Sequence, residues 1–160
     1  MLKTVFEIAL MTGGFHVAVG VDIDGTVCDF ITAAVMVFNR VLDRSVSVDD
    51  AYARYSLGEL YGLTTEEFDI LLQVHGSEIY SSAMPFPRAQ AMTCAWSAAG
   101  EQVVYITTRP WEYHTITRTW LGRWNFRVSG ICDGSGKWST MTRGYKNRIY
   151  DGSPALVVLN

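Results

Sequence analysis

The chain has 160 residues, of which 49% are hydrophobic, and its formal net charge is −3. This length predicts one domain, or one core with a small insertion, and the apolar content is ample for a buried core. The weak acidity argues against a long nucleic acid or an anionic membrane as partner. No apolar run approaches the ~18 residues that span a bilayer, and three cysteines suit reduced thiols. We therefore expect a cytoplasmic protein without a signal peptide.

The first predicted strand leads directly into an acidic motif. Residues 16–21 form an almost continuous apolar, β-branched run, typical of a central strand covered on both faces. The sequence Asp22-Ile23-Asp24-Gly25-Thr26-Val27-Cys28-Asp29 follows. In an extended strand Asp22 and Asp24 would share one face, and Gly25 allows the chain to leave the sheet. Because two crowded carboxylates need a proton or a cation between them, and Mg²⁺ favours oxygen ligands and phosphates, the motif predicts a magnesium site.

Helical patterns fill residues 30–84. Apolar side chains recur at three- and four-residue spacing over residues 31–42, and Ser47 and Thr64 each open a capping box. The sequence Met84-Pro85-Phe86-Pro87 then breaks the helical pattern. We therefore expect a small helical cap at residues 30–84, inserted after the first strand.

Beyond the cap, helices and strands alternate. The patterns predict a helix over 88–99 closed by Gly100, a strand at 103–108, a helix from Pro110, a strand at 126–131, a helix within 138–146, and short strands at 149–151 and 155–159. This alternation predicts an α/β fold with a Rossmann-like parallel sheet flanked by helices. Residues 16–29 and 85–160 would form this core, and residues 1–15 would be an N-terminal extension of unclear role.

Three polar residues fall at predicted strand ends: Asp22, Thr107 and Asp151. In open parallel sheets, ligands bind outside the carboxyl ends of the strands. We therefore expect these three side chains to converge on one site.

The motif at residues 22–29 resembles motif one of the haloacid dehalogenase (HAD) superfamily, D-x-D-G-T/V-x-x-D. The resemblance implies a HAD-like core, with Asp22 as the nucleophile that forms an aspartyl-phosphate and Asp24 as general acid and base. It also implies that Asp22 and the backbone carbonyl of Asp24 hold Mg²⁺. The chemistry agrees, since a carboxylate can attack phosphorus and a second can protonate the leaving oxygen. An acidic turn, such as a calcium loop or a surface hairpin, is the alternative interpretation.

Two further motifs of the superfamily have matches. Thr107, at the end of an apolar strand, matches the second motif and is expected to bind phosphate, with Thr108 and Arg109 adding substrate contacts. The third motif is a lysine that neutralises the nucleophile and the phosphoryl oxygens. Lys137 follows a glycine-rich turn and is favoured over Lys146 for this role.

Residues 148–154, with the sequence R-I-Y-D-G-S-P, resemble the fourth motif, in which acidic residues and a proline follow an apolar strand. The resemblance implies Asp151 as the remaining metal ligand. Gly152 stands where many members have a second acid, so we expect weaker metal binding.

A smaller group of features resembles the 5′(3′)-deoxyribonucleotidase, or cytosolic type C 5′-nucleotidase, family. These are the sequence C-D-F at 28–30, a cap ending in P-F-P at 85–87, and T-T-R-P at 107–110 followed by W-L at 120–121. The resemblance implies a phosphomonoesterase for (deoxy)nucleoside monophosphates, with Phe30 stacking on the base. Phe30 could equally be a core residue, and a sugar-phosphate phosphatase or a non-catalytic phosphate-binding protein of this fold are the alternatives. The exact substrate and the oligomeric state are left open.

Overall fold

The computed structural model describes residues 18–54, 56–133, 138–140 and 157–159. The strands are β1 (Ala18–Asp22), β2 (Cys28–Asp29), β3 (Met84–Pro85), β4 (Gln102–Thr107), β5 (Gly130–Asp133), β6 (Trp138–Thr140) and β7 (Val157–Leu159). The helices are α1 (Phe30–Leu42), α2 (Val48–Ala53), α3 (Leu57–Tyr61), α4 (Thr65–Ser82), α5 (Ala89–Ala98) and α6 (His114–Arg123), with a 3₁₀ turn at Trp111–Tyr113.

The main sheet has the strand order β6-β5-β4-β1-β7 over the described residues. β1 pairs in parallel with β4 and β7, and β4 pairs in parallel with β5. Asp22 lies opposite Ile106, and Thr107 lies opposite Asp133. The carboxyl ends of β1, β4 and β5 therefore lie at one edge, and the predicted α/β fold with a parallel sheet flanked by helices is confirmed.

A tight turn carries the chain out of β1. Ile23 is fully buried, and its carbonyl accepts hydrogen bonds from the backbone N–H groups of Val27 and Cys28 at 3.0 and 2.9 Å. Gly25 has a φ of +85°, a conformation that only glycine adopts without strain. The turn brings Asp24 against Cys28, with which it forms an isolated β-bridge. Gly25 thus allows the chain to leave the sheet after β1, as the sequence predicts.

Four helices, α1 to α4, occupy residues 30–82. The carboxylate of Asp29 caps α1 by accepting from the N–H of Thr32 at 3.0 Å. Ser47 caps α2, and Thr64 with Glu67 forms a complete capping box at the start of α4. The chain enters and leaves this helical segment through β2 and β3, which pair antiparallel. The predicted helix starts at Ser47 and Thr64 are confirmed.

One hydrophobic cluster extends from the sheet into the helical segment; its largest fully buried members include Ile23, Phe38, Tyr105, Trp120, Leu121 and Ile131. Phe38 of α1 packs edge-to-face on Tyr61 and Phe68. Trp120 of α6 donates its indole N–H to the carbonyl of Ala83 at 2.7 Å. The end of α4 is thereby fixed to the core by a buried hydrogen bond.

The predicted strand at 126–131 was placed too early, because β5 begins at Gly130. Asn125 has a φ of +55°, so the chain turns sharply after α6. The Phe126 ring then stacks on Trp120, with ring centroids 5.4 Å apart, and packs edge-to-face on Tyr105. Phe126 is therefore buried as a core side chain outside the sheet.

The prediction of a helix within 138–146 is also wrong at its start. Trp138–Thr140 form β6, which pairs antiparallel with β5 from Cys132 to Gly130. The hydrogen bonds offered by the edge of β5 override the local helical preference there. Residues 141–156 and 1–17 lie outside the described residues, and with them the predicted strand at 149–151 and the N-terminal extension.

The predicted final strand at 155–159 is confirmed for Val157–Leu159, which form β7. The predicted helix closed by Gly100 is confirmed as α5, and Gly100 has a φ of +88°.

Among the helices in the described ranges, none combines the length and apolar character needed to cross a membrane.

The helical segment meets the core at a close contact between α4 and Tyr113. The Tyr113 hydroxyl donates to the backbone carbonyls of Leu72 and Gln73, at 3.1 and 3.0 Å. A Cβ atom added at Gly76 would lie 2.9 Å from the Tyr113 ring and hydroxyl and 3.1 Å from Tyr80. Gly76 therefore allows α4 to approach the core at this distance.

We predict that Gly76→Ala lowers the free energy of unfolding by ~1–3 kcal/mol, because the added methyl group must displace a buried tyrosine from its hydrogen bonds. Gly122→Ala, in α6, is the matched control, since nothing lies within 4 Å of its added Cβ. At position 122, the higher helix propensity of alanine should raise the free energy of unfolding by up to about 1 kcal/mol. Urea unfolding of the three proteins measures both effects, and a Gly76→Ala protein as stable as wild type would contradict the close contact.

Candidate active site

Two carboxylates stand at the carboxyl end of the central strand β1. Asp22 is half-buried, and its Oδ1 accepts from the backbone N–H of Ile23 at 2.9 Å. Burial, followed by the charge of Asp24, raises the pKa of Asp22, while the Ile23 N–H and Arg109 partly oppose this change. A charged Asp22 is therefore disfavoured in the folded chain unless a cation comes close to it.

Asp24 is bound by a buried arginine. Arg109 donates from Nε to Oδ2 of Asp24 at 2.8 Å and from Nη2 to Oδ1 at 2.6 Å. The side chain of Arg109 is 2% exposed and that of Asp24 is 23% exposed. Burial alone would lower the pKa of Arg109, but the hydrogen bonds and charge of Asp24 raise it overall. The result is a two-pronged ion pair between the turn after β1 and the loop after β4.

Further N–H groups and one face of the guanidinium also have protein partners. Arg109 Nη1 donates to Thr117 Oγ1 at 3.2 Å, and Nη2 lies 3.3 Å from Cys28 Sγ. The Tyr80 ring covers the guanidinium, with its centroid 4.3 Å from Cζ. The predicted contact of Arg109 with substrate does not match this arrangement, because the guanidinium is buried and bound to protein groups. Sequence patterns near Arg109 did not indicate any of these partners.

Cys28 is buried beside this ion pair. Burial raises the pKa of its thiol to about 12; Arg109 lowers this pKa and Asp24 raises it by smaller amounts. A neutral, fully buried thiol is poorly suited to nucleophilic chemistry. Its position is that of a packing residue.

Thr107 lies at the same sheet edge as Asp22. Its side chain is buried, and Oγ1 accepts from the backbone N–H of Arg109 at 3.1 Å. Thr108, in contrast, is exposed. β4 thus brings Thr107 beside the carboxylates, as predicted from its place at the strand end, while the roles of Thr107 and Thr108 toward a substrate stay predictions.

Phe30 lies at the start of α1 and is half-buried. Its ring stacks on Tyr80 of α4, with centroids 5.9 Å apart and planes inclined by 27°. Tyr80 is itself buried and packs edge-to-face on Tyr113. The ring of Phe30 thus has a protein partner on one side, and its predicted contact with a base stays a prediction.

The metal-binding set is incomplete within the part of the chain that the structure describes. Among those residues, no group of three or more His, Cys, Asp or Glu side chains could hold a metal ion. Lys137, Lys146, Asp151 and Gly152 lie outside the described residues, so their predicted roles stay predictions.

The register of β7 relative to β1 limits where this strand could place a metal ligand. Leu159 lies opposite Val21, so the carboxyl ends of both strands are level. A ligand donated from the carboxyl end of this strand would follow Leu159, whereas Asp151 precedes Val157 by six residues. Asp151 is therefore not part of β7, and its position lies outside the described residues.

A separate groove of about 320 Å³ lies between α1 and α4. Its lining includes Ala33, Val37, Ala83 and Met84, with Arg40 and Glu78 among its polar residues. None of Asp22, Asp24 and Thr107 lines it.

Comparison with known proteins supports a resemblance to nucleotidases. No protein-family profile matches the chain. Over 112 residues, 68% of its length, the chain is 32% identical to a Bacillus cereus protein named "Putative nucleotidase". It spans 59% of that relative, and similar fractions of homologous proteins from Halalkalibacterium halodurans (53%) and Oceanobacillus iheyensis (60%).

Solved structures identify the fold. A HAD family hydrolase from Deinococcus radiodurans, crystallised with phosphate and sodium, superposes with a TM-score of 0.52 at 16% identity. The match covers 75% of this chain and 58% of that one. A hydrolase from Streptococcus pneumoniae gives a TM-score of 0.51 at 14% identity, covering 75% and 67% of the two chains.

We predict that Asp22→Asn raises the thermal stability of the metal-free protein at pH 7. Because the pKa of Asp22 is higher in the folded than in the unfolded chain, its ionisation disfavours folding above that pKa. The stability gained by the variant should shrink as the pH falls and Asp22 becomes protonated in both states. Melting curves between pH 4 and 8 in a chelating buffer test this, and a variant less stable than wild type at pH 7 would contradict it.

Proposed function

Because the chain has the fold of the haloacid dehalogenase superfamily and resembles curated nucleotidases, we propose that it is a Mg²⁺-dependent phosphomonoesterase for (deoxy)nucleoside monophosphates. The observation that carries this proposal is the placement of Asp22 and Asp24 at the carboxyl end of β1, beside Thr107 at the end of β4. An acidic surface turn would not require a buried arginine on one of its carboxylates.

In the proposed reaction, Asp22 acts as nucleophile and Asp24 as general acid and base. An Asp22 oxygen attacks phosphorus, and the bond from phosphorus to the leaving oxygen breaks with its electron pair on that oxygen, which takes the proton of Asp24. Asp24 then removes a proton from water, whose oxygen attacks the aspartyl-phosphate. The bond from phosphorus to Asp22 breaks, which restores the Asp22 carboxylate and releases inorganic phosphate.

The residues at the sheet edge fit a magnesium ion. The pKa of Asp22 is raised by burial and by Asp24, so a divalent cation would relieve an unfavourable charge there. Asp22, the Asp24 backbone carbonyl and Asp151 are the ligands that we propose. When bound, Mg²⁺ would neutralise the phosphoryl oxygens and orient them for attack. Thr107 would donate its hydroxyl hydrogen to a phosphoryl oxygen, and Lys137 would add a positive charge.

We assign residues 30–84 as a cap and residues 16–29 and 85–160 as the core. The support is that four helices lie between β2 and β3, and that these two short strands pair side by side. A segment connected through two adjacent strands can move as a unit and close over a bound substrate. Closure would exclude water from the aspartyl-phosphate until its hydrolysis.

We predict that phosphate release from nucleoside monophosphates requires Mg²⁺ and falls by at least ~10³-fold in Asp22→Asn, since the variant lacks the attacking carboxylate. Phosphate release is measured at several Mg²⁺ concentrations. Mg²⁺ should also raise the melting temperature of wild type more than that of Asp22→Asn, because the metal binds the folded state. A folded wild-type protein that releases no phosphate at any Mg²⁺ concentration would instead favour a non-catalytic phosphate-binding protein.

We predict that Phe30→Ala lowers kcat/KM for a nucleoside monophosphate by about tenfold or more, since base–aromatic stacking is worth ~1–3 kcal/mol. Ribose 5-phosphate is the control substrate, because it lacks a base and should be affected less. Equal losses for both substrates would show that Phe30 acts by packing on Tyr80, and would favour a sugar-phosphate phosphatase.

A further inference from the structure

We propose that Arg109 is a positioning residue that fixes the carboxylate of Asp24 for proton transfer, and that Tyr80 of α4 forms one wall of the site that holds Arg109. The inference rests on the proposed function, because it concerns the acid and base of that reaction. It gives Arg109 a role through Asp24, in place of the substrate contact expected from the sequence.

The first support is the geometry of the ion pair. Two separate N–H groups of Arg109 reach the two oxygens of Asp24, at 2.8 and 2.6 Å. Such a planar, two-pronged contact fixes both the position and the plane of a carboxylate, which a single hydrogen bond does not. Each carboxylate oxygen keeps a second lone pair, so Asp24 can carry the transferred proton while the contact persists.

The second support is that the guanidinium has little freedom. Its side chain is 2% exposed, and Thr117 and Cys28 accept from its other N–H groups. The backbone N–H of Arg109 donates to Thr107, at the end of β4. A group fixed at both its backbone and its terminal atoms can in turn hold Asp24 in one orientation.

The third support is that the aromatic ring packed on the guanidinium comes from the helical segment. Tyr80 lies in the last part of α4, and its ring centroid is 4.3 Å from the Arg109 Cζ. Tyr80 packs on Tyr113, whose hydroxyl binds backbone carbonyls of the same helix. The site of Arg109 is therefore complete only when α4 lies against the core. The orientation of Asp24 thereby depends on the position of the helical segment.

The leaving group provides the test. A nucleoside leaves as an alkoxide that needs protonation, whereas p-nitrophenolate leaves with little help from an acid. We expect Arg109→Met to lower kcat/KM by about 10²-fold for a nucleoside monophosphate and by less than tenfold for p-nitrophenyl phosphate. Arg109→Lys should recover only part of the loss, because an ammonium cannot make the two-pronged contact.

The matched control is Arg40→Met, which removes an exposed arginine bound to both oxygens of Glu78. Its kcat/KM values should stay within about twofold of wild type for both substrates. Tyr80→Leu should show the same leaving-group dependence as Arg109→Met. Tyr80→Phe, which keeps the ring face, should lose less than Tyr80→Leu.

A double-mutant cycle with Asp24→Asn separates positioning from general damage to the fold. If Arg109 acts through Asp24, adding Arg109→Met to Asp24→Asn should change kcat/KM for the nucleotide by less than about threefold. Equal losses of both substrates in Arg109→Met, or additive losses in the double variant, would overturn the inference while leaving the phosphatase intact. A wild-type protein that hydrolyses neither substrate would overturn the proposed function and, with it, this inference.

Discussion

A buried guanidinium–carboxylate pair connects the two strand ends on which the site is built. Asp22 lies two residues before Asp24, and Thr107 lies two residues before Arg109, so the pair fixes both positions relative to each other. Loss of one partner in such a pair usually costs ~3–5 kcal/mol, because the other charge is left buried alone. The same contact therefore contributes to the stability of the sheet edge and to the order of the site. Asp22, for which the described residues supply no such partner, is the carboxylate whose charge the fold disfavours.

The pair also lies where the helical segment meets the core. Cys28 of β2, which contacts Arg109, pairs with Pro85 of β3, so the two connections to α1–α4 run side by side next to the ion pair. Tyr80 reaches the same guanidinium from the end of α4. Any movement of the helices would therefore act on the surroundings of Arg109. The contacts of Arg109 therefore join the packing of helices α1–α4 to the residues at the strand ends.

Much of the fold could be predicted from short-range patterns. The central strand, the break at Gly25 and the helix starts at Ser47 and Thr64 each depend on residues only a few positions apart. The predictions failed where distant contacts decide the outcome. Phe126 looks like a strand residue but is buried against Trp120, and residues 138–140 form a strand because the edge of β5 is available to pair with them.

The sequence by itself determined the chemical character of the site: two carboxylates after a buried strand and a threonine at the end of a parallel neighbour. Consecutive parallel strands joined by helices have their carboxyl ends at the same edge of the sheet, so these groups were expected to meet there. Only the tertiary structure decided which groups Arg109 contacts. Its partner Asp24 lies 85 residues away in the chain, and Tyr80 comes from a different helix. No local pattern encodes such contacts, because they depend on how separately formed elements pack together.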